Sequence, residues 1–165
     1  MSTLKTTNVQ HPSAADPAIE LDAAGKLWLA GGKILQIVRA TDVTDRTTTS
    51  ATSVDASISV TITPQRSTSA VLVIWTARIG PGENGHIILS ITDSTDAVLS
   101  GAQASIFGSS NGTVQRDTAN IIGYASPGST SAVTYKGRFS AVTAGTSSIL
   151  NASQTGQLYA IEVSA

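Results

Sequence analysis

The chain contains no cysteine, one methionine and 4% aromatic residues, and charged residues make up 13% of its 165 positions. The absence of cysteine excludes both a disulfide framework and a cysteine-bound zinc site. Strong helix formers are scarce, which argues against a helical bundle. No run of about 18 apolar residues occurs, so no transmembrane helix is expected. Residues 1–10 are polar, so we do not expect a secretory signal either.

The charge is nearly balanced, because 10 basic and 11 acidic residues give a net charge of −1. This charge balance does not attract a polyanion, so binding to nucleic acid through a basic face is not expected. Serine and threonine together account for 44 of the 165 residues. Small uncharged side chains lose little conformational entropy on packing, so this composition suits a subunit that packs against neighbouring subunits.

Residues 1–32 differ in pattern from the rest of the chain. Pro12 and Pro17 lie close together and make a helix there improbable. Two short apolar fragments, Ala18–Asp22 and Lys26–Ala30, follow around a glycine turn. The pattern predicts an extended N-terminal arm and a small hairpin over 1–32, which bury too little surface to be ordered without a partner.

From residue 33 onward the apolar residues recur with period two, which is typical of β-strands. Turn residues separate the segments at roughly ten-residue intervals, so 33–165 is predicted to be one all-β domain. We expect an antiparallel β-sandwich, jelly-roll-like, of about eight strands. The predicted strands are Ile34–Val38, Ser57–Thr63, Ala70–Ala77, His86–Thr92, Ala132–Val142 and Gln157–Ser164. Two weak strands are predicted at Ala97–Leu99 and Ala102–Phe107, and Thr113–Tyr124 is interpreted as one long strand or a bulged pair.

Two of the predicted strands and one loop have distinctive sequences. Ala70–Ala77 is apolar on both faces, which predicts a central strand, and Gln157–Ser164 places Tyr159, Ile161 and Val163 on one face. Thr41–Ser53 is rich in threonine and is interpreted as a polar loop.

Signals for catalysis or metal binding are weak. Gly108–Gly112 matches G-x-S-x-G, but a nucleophile elbow requires a helix after it, and a polar turn is predicted here. His11 lies in the arm and His86 at a hairpin, so they are not expected to share a site. Asp93 and Asp96 are interpreted as turn residues that bond to the nearby backbone rather than as calcium ligands. We therefore predict no enzyme activity and no cofactor.

Two tryptophans are candidates for stacking on a ligand. Trp75 lies in a strongly apolar strand and is interpreted as a core residue, whereas Trp28 fits an interface as well as a core. A glycosidase would require paired carboxylates about 5–9 Å apart. The three glutamates, Glu20, Glu83 and Glu162, lie in separate contexts, and an aspartate pair stays open as an alternative.

One segment resembles a known class of proteins. Lys5–Leu21 reads KTTNVQHPSAADPAIEL, which resembles the N-terminal pattern of small virion proteins of tailed bacteriophages. In that pattern K-x-x-N-[IV]-Q-H-P-S-A leads to P-A-I-x-L, then a glycine and a β-domain. The stretch Gly32–Val38, the Thr-rich loop and the strand that ends at Pro64 also resemble it, so the likeness covers Lys5–Pro64 and is only compositional afterwards.

The resemblance implies a non-enzymatic structural protein of the virion, a homotrimer assembled in the host cytoplasm, with no membrane insertion. In a capsid-decorating (cement) protein, the arm would add a strand to the major capsid protein or another virion protein, and the β-domain would project. The alternative is a short tail or head fibre whose loops, such as Gly80–Gly85 or Gly108–Gly112, bind host-surface glycans. Fibres usually carry a long shaft, which this chain has no room for, so decoration is favoured. The arm residues expected to make contacts are Asn8, Val9, His11, Pro12, Ile19, Leu21 and Trp28.

Overall fold

The computed structural model describes residues 33–82, 85–108, 115–142 and 145–164, together with the backbone of 8–9, 19–21 and 27–29. All regular structure in these ranges is β-strand. Three short strands lie in the N-terminal part: β1 (Asn8–Val9), β2 (Ile19–Leu21) and β3 (Leu27–Leu29). The others are β4 (Ile34–Asp42), β5 (Asp45–Thr48), β6 (Val54–Ile62), β7 (Ala70–Pro81), β8 (His86–Thr92), β9 (Val98–Phe107), β10 (Asp117–Ala125), β11 (Val133–Ala141), β12 (Ser147–Leu150) and β13 (Gly156–Val163).

Eight of these strands pair in nested fashion. The first of the eight strands, β4, pairs with the last, β13. Moving inward along the chain, β6 pairs with β11, β7 with β10 and β8 with β9, and all four pairs are antiparallel. Their order is β4-β13-β7-β10-β9-β8-β11-β6, and a single residue pair joins β10 to β9. The first four strands form one sheet, here called the β13 sheet, and the last four form the β11 sheet. This nearly closed, sandwich-like arrangement confirms the predicted all-β, jelly-roll-like fold.

The core lies between the two sheets, where alternate residues of each strand point inward. In β6 the inward positions are Ala56, Ile58, Val60 and Ile62, and the residues between them are exposed. Trp75 is 1% exposed and packs in this cluster, which confirms its interpretation as a core residue. The core is therefore built mainly from Ile, Val, Leu and Ala, with Trp75, Tyr135 and Phe139 as its largest members.

Gly137 lets β11 pass close to the ring of Trp75. A Cβ atom at this position would lie 2.9 Å from the indole carbons Cε2 and Cζ2 and 2.9 Å from Cγ2 of Ile58. These distances are shorter than normal van der Waals contact, and the surrounding atoms are held by the packed core. The position therefore requires glycine for space rather than for backbone conformation.

We expect Gly137→Ala to destabilise the protein by about 1–3 kcal/mol, because the added methyl overpacks the core. Denaturant unfolding followed by tryptophan fluorescence would measure the loss. Gly80→Ala is the matched control, since its Cβ would meet the flexible Leu150 side chain at 3.2 Å. An equal or larger loss in the control would contradict the packing explanation.

The structure corrects several predicted boundaries. The segments predicted as two weak strands form the single strand β9, in which Gly101 adopts a φ of +71°. The Thr-rich segment is not a plain loop, because it contains the end of β4 and all of β5. Strand β12 was not predicted, and it pairs with both β5 and β7. Its sequence is Ser-Ser-Ile-Leu, which is too short for period two to be visible.

Glu162 is fully buried near the end of β13 and joins three segments. Its Oε2 accepts a hydrogen bond from Nε2 of Gln36 at 2.6 Å. Its Oε1 accepts bonds from the backbone N–H groups of Gln65, at 2.7 Å, and Arg66, at 3.3 Å. The carboxylate thus ties β4 and β13 to the turn between β6 and β7.

These bonds also set the ionisation of Glu162. Burial raises the pKa of the carboxyl, but Gln36, the Ser69 hydroxyl and the two backbone N–H groups together outweigh it, so the pKa lies below its ordinary value. Glu162 is therefore held as a buried carboxylate.

Candidate interaction surfaces

The outer face of the β13 sheet carries apolar side chains in register across four strands. One row runs Ile37, Ile161, Leu72 and Tyr124, and the next runs Arg39, Tyr159, Ile74 and Ile122. The neighbours of these residues along each strand point into the core, so the rows themselves point away from it. We call these eight residues the apolar face.

The apolar face is open to solvent. Ile37, Ile122 and Tyr124 are 56–57% exposed, and the residues of the two inner strands are half-buried among their neighbours. Exposed apolar residues are normal when they are scattered, but a contiguous patch marks an interaction surface. The guanidinium of Arg39 lies 5.8 Å from the ring centroid of Tyr159 and provides the only charge in the two rows.

Polarity changes sharply along this face. Next to the row that contains Arg39 lies a polar row, made of Thr41, Gln157, Thr76 and Asn120. Its side chains bond within the face, since the Thr76 hydroxyl donates to Oδ1 of Asn120 at 2.6 Å. The apolar end of the sheet is the end at which β4 begins, directly after the N-terminal arm.

The outer face of the β11 sheet is polar instead. Ser90, Thr92 and Ser140 point outward there, yet each is no more than 4% exposed. Together with the loop Ala51–Ser53 and the turn between β8 and β9, these residues line a cavity of about 330 Å³ that is open to solvent. Charged groups at its rim come from Asp96 and Arg138.

The turn between β8 and β9 is built by its two aspartates. The Asp93 carboxylate accepts bonds from Thr95 and from the backbone N–H of Ala97, and the side-chain bond from Thr95 chiefly lowers its pKa. Asp96 adopts a φ of +68° and pairs with Arg138 at 2.5 Å and Lys136 at 3.2 Å, and the bond from Arg138 contributes most to lowering its pKa. The interpretation of Asp93 as a turn residue is confirmed, and Asp96 has an added role in holding the turn to β11.

His86 packs against an aromatic neighbour. Its ring stacks on Phe107 with centroids 4.2 Å apart, and Nε2 contacts the Ser105 hydroxyl. Its partner Phe107 is 68% exposed at the end of β9. Both aromatic rings therefore lie at one tip of the sandwich.

The arm residues are described only in part. Asn8 and Val9 pair with Glu20 and Ile19, and β2 pairs in turn with β3 to place Glu20 opposite Trp28. These three short strands form a small antiparallel sheet in the order β1-β2-β3. His11 and Pro12 lie outside the described residues, and the contacts expected of Asn8, Val9, Ile19, Leu21 and Trp28 stay predictions.

The predicted ligand-binding loops are also covered in part. Gly80 and Pro81 belong to β7, and the N–H of Gly85 donates to the carbonyl of Gly82 at 2.7 Å. Positions 83–84 and 109–112 lie outside the described residues, so the G-x-S-x-G segment is seen only at Gly108.

Within the described ranges, no group of three or more His, Asp or Glu side chains is placed to hold a metal ion. Among the same residues no helix has the length and apolar character needed to cross a membrane. No protein-family model matches the chain, and no match to it was found among curated proteins. The candidate surfaces therefore rest on the geometry of this molecule alone.

The sequence does contain a signal for the apolar face. Ala70–Ala77 is apolar on both faces and forms a central strand, as predicted, and Tyr159, Ile161 and Val163 share one face, as predicted. Such residues are usually read as core, but here one apolar side of β7 and β13 points outward. The hydroxyl-lined cavity has no comparable signal, because Ser and Thr are abundant throughout the chain.

Proposed function

We propose that this chain is a non-enzymatic structural protein of a tailed-phage virion. In this proposal it is a capsid-decorating (cement) protein that binds the capsid through its N-terminal arm and projects a homotrimeric β-domain. The observation that supports the proposal is the apolar face, because burying such a contiguous surface against a protein partner is favourable. The resemblance of Lys5–Pro64 to virion proteins indicates the setting.

A second copy of the chain is the partner that the apolar face fits best. The two apolar rows carry one charge, the Arg39 guanidinium, which lies over Tyr159 rather than standing free. With a net charge of −1 per chain, copies approach with little electrostatic repulsion. Three copies that turn this face toward a common axis would bury it in all of them at once.

The apolar face would form the central part of such an interface and not the whole of it. Across the four strands the face is about 19 Å wide. Along the strands, with the adjoining row of Ile34 and Val163 included, it is about 20 Å long. Its projected area is therefore roughly 380 Å². That is about half of the roughly 800 Å² that each partner contributes to a standard interface. The adjoining polar row and the strand ends would have to supply the rest.

The arm would then supply attachment. Each arm would contribute backbone hydrogen bonds and the apolar residues Val9, Ile19 and Leu21 at junctions between capsid subunits. A single arm binds weakly, but a trimer binds at three points, so effective concentration raises the total affinity well above that of one arm.

Deletion of residues 2–17 tests the attachment. We expect the shortened protein to keep its β-sheet circular dichroism and its oligomeric mass, because the ladders of β4 to β13 do not involve these residues. It should lose binding to capsids assembled without this protein, as measured by co-sedimentation. A deletion variant that still decorates capsids fully would contradict attachment by the arm.

Copy number in the virion separates this proposal from its alternative. Quantitative mass spectrometry should find hundreds of copies per particle for a decorating protein, and a few dozen or fewer for a fibre. The fibre alternative is favoured by one observation, the polar cavity on the outer face of the β11 sheet. If it is correct, purified protein should block adsorption of the phage to its host.

A further inference from the structure

The cavity on the β11 sheet has a floor made by side chains from three paired strands. Ser90 of β8 lies opposite Gln103 of β9 on one side and Arg138 of β11 on the other. Ile88 and Ser140 form the next pair of the floor, and Thr92 forms its far end. Its volume of about 330 Å³ lies at the small end of the range for ligand sites, which is about 300–1,000 Å³.

The Arg138 side chain is fixed by the cavity walls. Its Nη1 lies 2.5 Å from Oδ1 of Asp96 in one wall, and its Nη2 donates to the carbonyl of Ser53 in the other at 2.8 Å. The guanidinium is therefore neutralised by Asp96, and an anionic ligand would have to displace that carboxylate. Lys136, which also contacts Asp96, does not line the cavity.

One polar group in the floor lacks a partner. Thr92 is 1% exposed, and its Oγ1 makes no hydrogen bond with any residue in the described part of the chain. A buried hydroxyl without a partner costs about 1–3 kcal/mol. A ligand that fills the cavity would supply the missing bond.

The remaining lining selects the class of ligand. Ser90, Ser140 and Gln103 offer groups that both donate and accept hydrogen bonds, which matches ligand hydroxyls. Ile88 and Val98 add apolar surface beside them, which matches the C–H face of a sugar ring. We propose that this cavity binds one unit of a neutral saccharide. The proposal does not depend on self-association or on the arm.

Binding can be tested on the full-length protein with methyl glycosides of glucose, galactose, mannose and N-acetylglucosamine. Two-dimensional amide NMR should show that at least one of them shifts the resonances of Ser90, Thr92 and Arg138 in a saturable manner. If none of the four does so, or if sulfate or phosphate binds there more tightly than every sugar, the saccharide site is refuted.

Thr92→Val separates a binding role from a structural one. Valine keeps the shape and removes the unpartnered hydroxyl, so the melting temperature should stay equal or rise while sugar affinity falls at least tenfold. Thr47→Val, at an exposed position of β5, is the matched control and should leave both unchanged. Gln103→Ala, which removes the exposed amide that β9 contributes to the floor, should also weaken binding. Unchanged affinity in both Thr92→Val and Gln103→Ala would overturn the proposal.

Discussion

Ile122→Glu should convert the assembled protein into folded monomers. The side chain is 57% exposed in the single chain, so a carboxylate there is tolerated by the monomer. In an assembly that buries the apolar face, the same carboxylate would lose its hydration without gaining a charge partner. Such burial costs several kcal/mol, which lowers the association constant by more than about 100-fold. Sedimentation velocity at micromolar concentration measures the change.

Two further variants make this result specific. Ile37→Glu alters the same face on a different strand and should have the same effect. Val43→Glu is the control, because Val43 is 64% exposed in the turn between β4 and β5, away from the two rows. If Ile122→Glu sediments like the unmodified protein, the apolar face does not lie between copies. Loss of assembly in all three variants would point to a general effect of added charge.

Glu162→Gln should produce the second large effect, a loss of roughly 2–3 kcal/mol in the free energy of unfolding at pH 7. Both carboxylate oxygens accept bonds from N–H donors, Oε2 from Gln36 and Oε1 from the backbone of Gln65 and Arg66. A glutamine must direct its NH₂ group at one of these donors, because it has a single acceptor oxygen. Chemical denaturation of the two proteins measures the difference.

The effect should depend on pH in a defined direction. The pKa of Glu162 is lower in the folded chain than its ordinary value of 4.5, so the unfolded chain takes up the proton first as the pH falls. The stabilisation is therefore present above pH 4.5 and is lost as the pH falls toward the folded pKa. Unfolding free energies measured from pH 7 to pH 3 should fall more steeply for the unmodified protein than for Glu162→Gln, so the two curves converge in acid.

Asp117→Asn is the matched control for this series. Asp117 is exposed at the start of β10, and its carboxylate bonds only to the N–H of the next residue among the described contacts. The control should follow the unmodified curve within a few tenths of a kcal/mol, as is usual for surface positions. Parallel curves for Glu162→Gln and the unmodified protein would contradict a buried, ionised Glu162.

Local pattern predicted much of the sandwich domain. The alternation of Ile58, Val60 and Ile62 with Ser and Thr placed β6 correctly, since one face of that strand is core and the other is solvent. The alternation failed to predict β12, because that strand is too short for the pattern to be visible. It also failed to predict β9 as one strand, because Gly101 interrupts the pattern there. Trp75 was assigned to the core correctly because its strand is apolar on both sides.

The sequence by itself determined the all-β class, the approximate strand positions and the near balance of charge, because these depend on residue periodicity and composition. Only the tertiary structure decided which apolar side of β7 and β13 faces the core and which faces outward. Period two shows that residues share a face, but the closure of the sheet over Trp75 decides which face is inside. The same holds for Glu162 and for the cavity around Thr92, because their contacts join residues up to 126 positions apart.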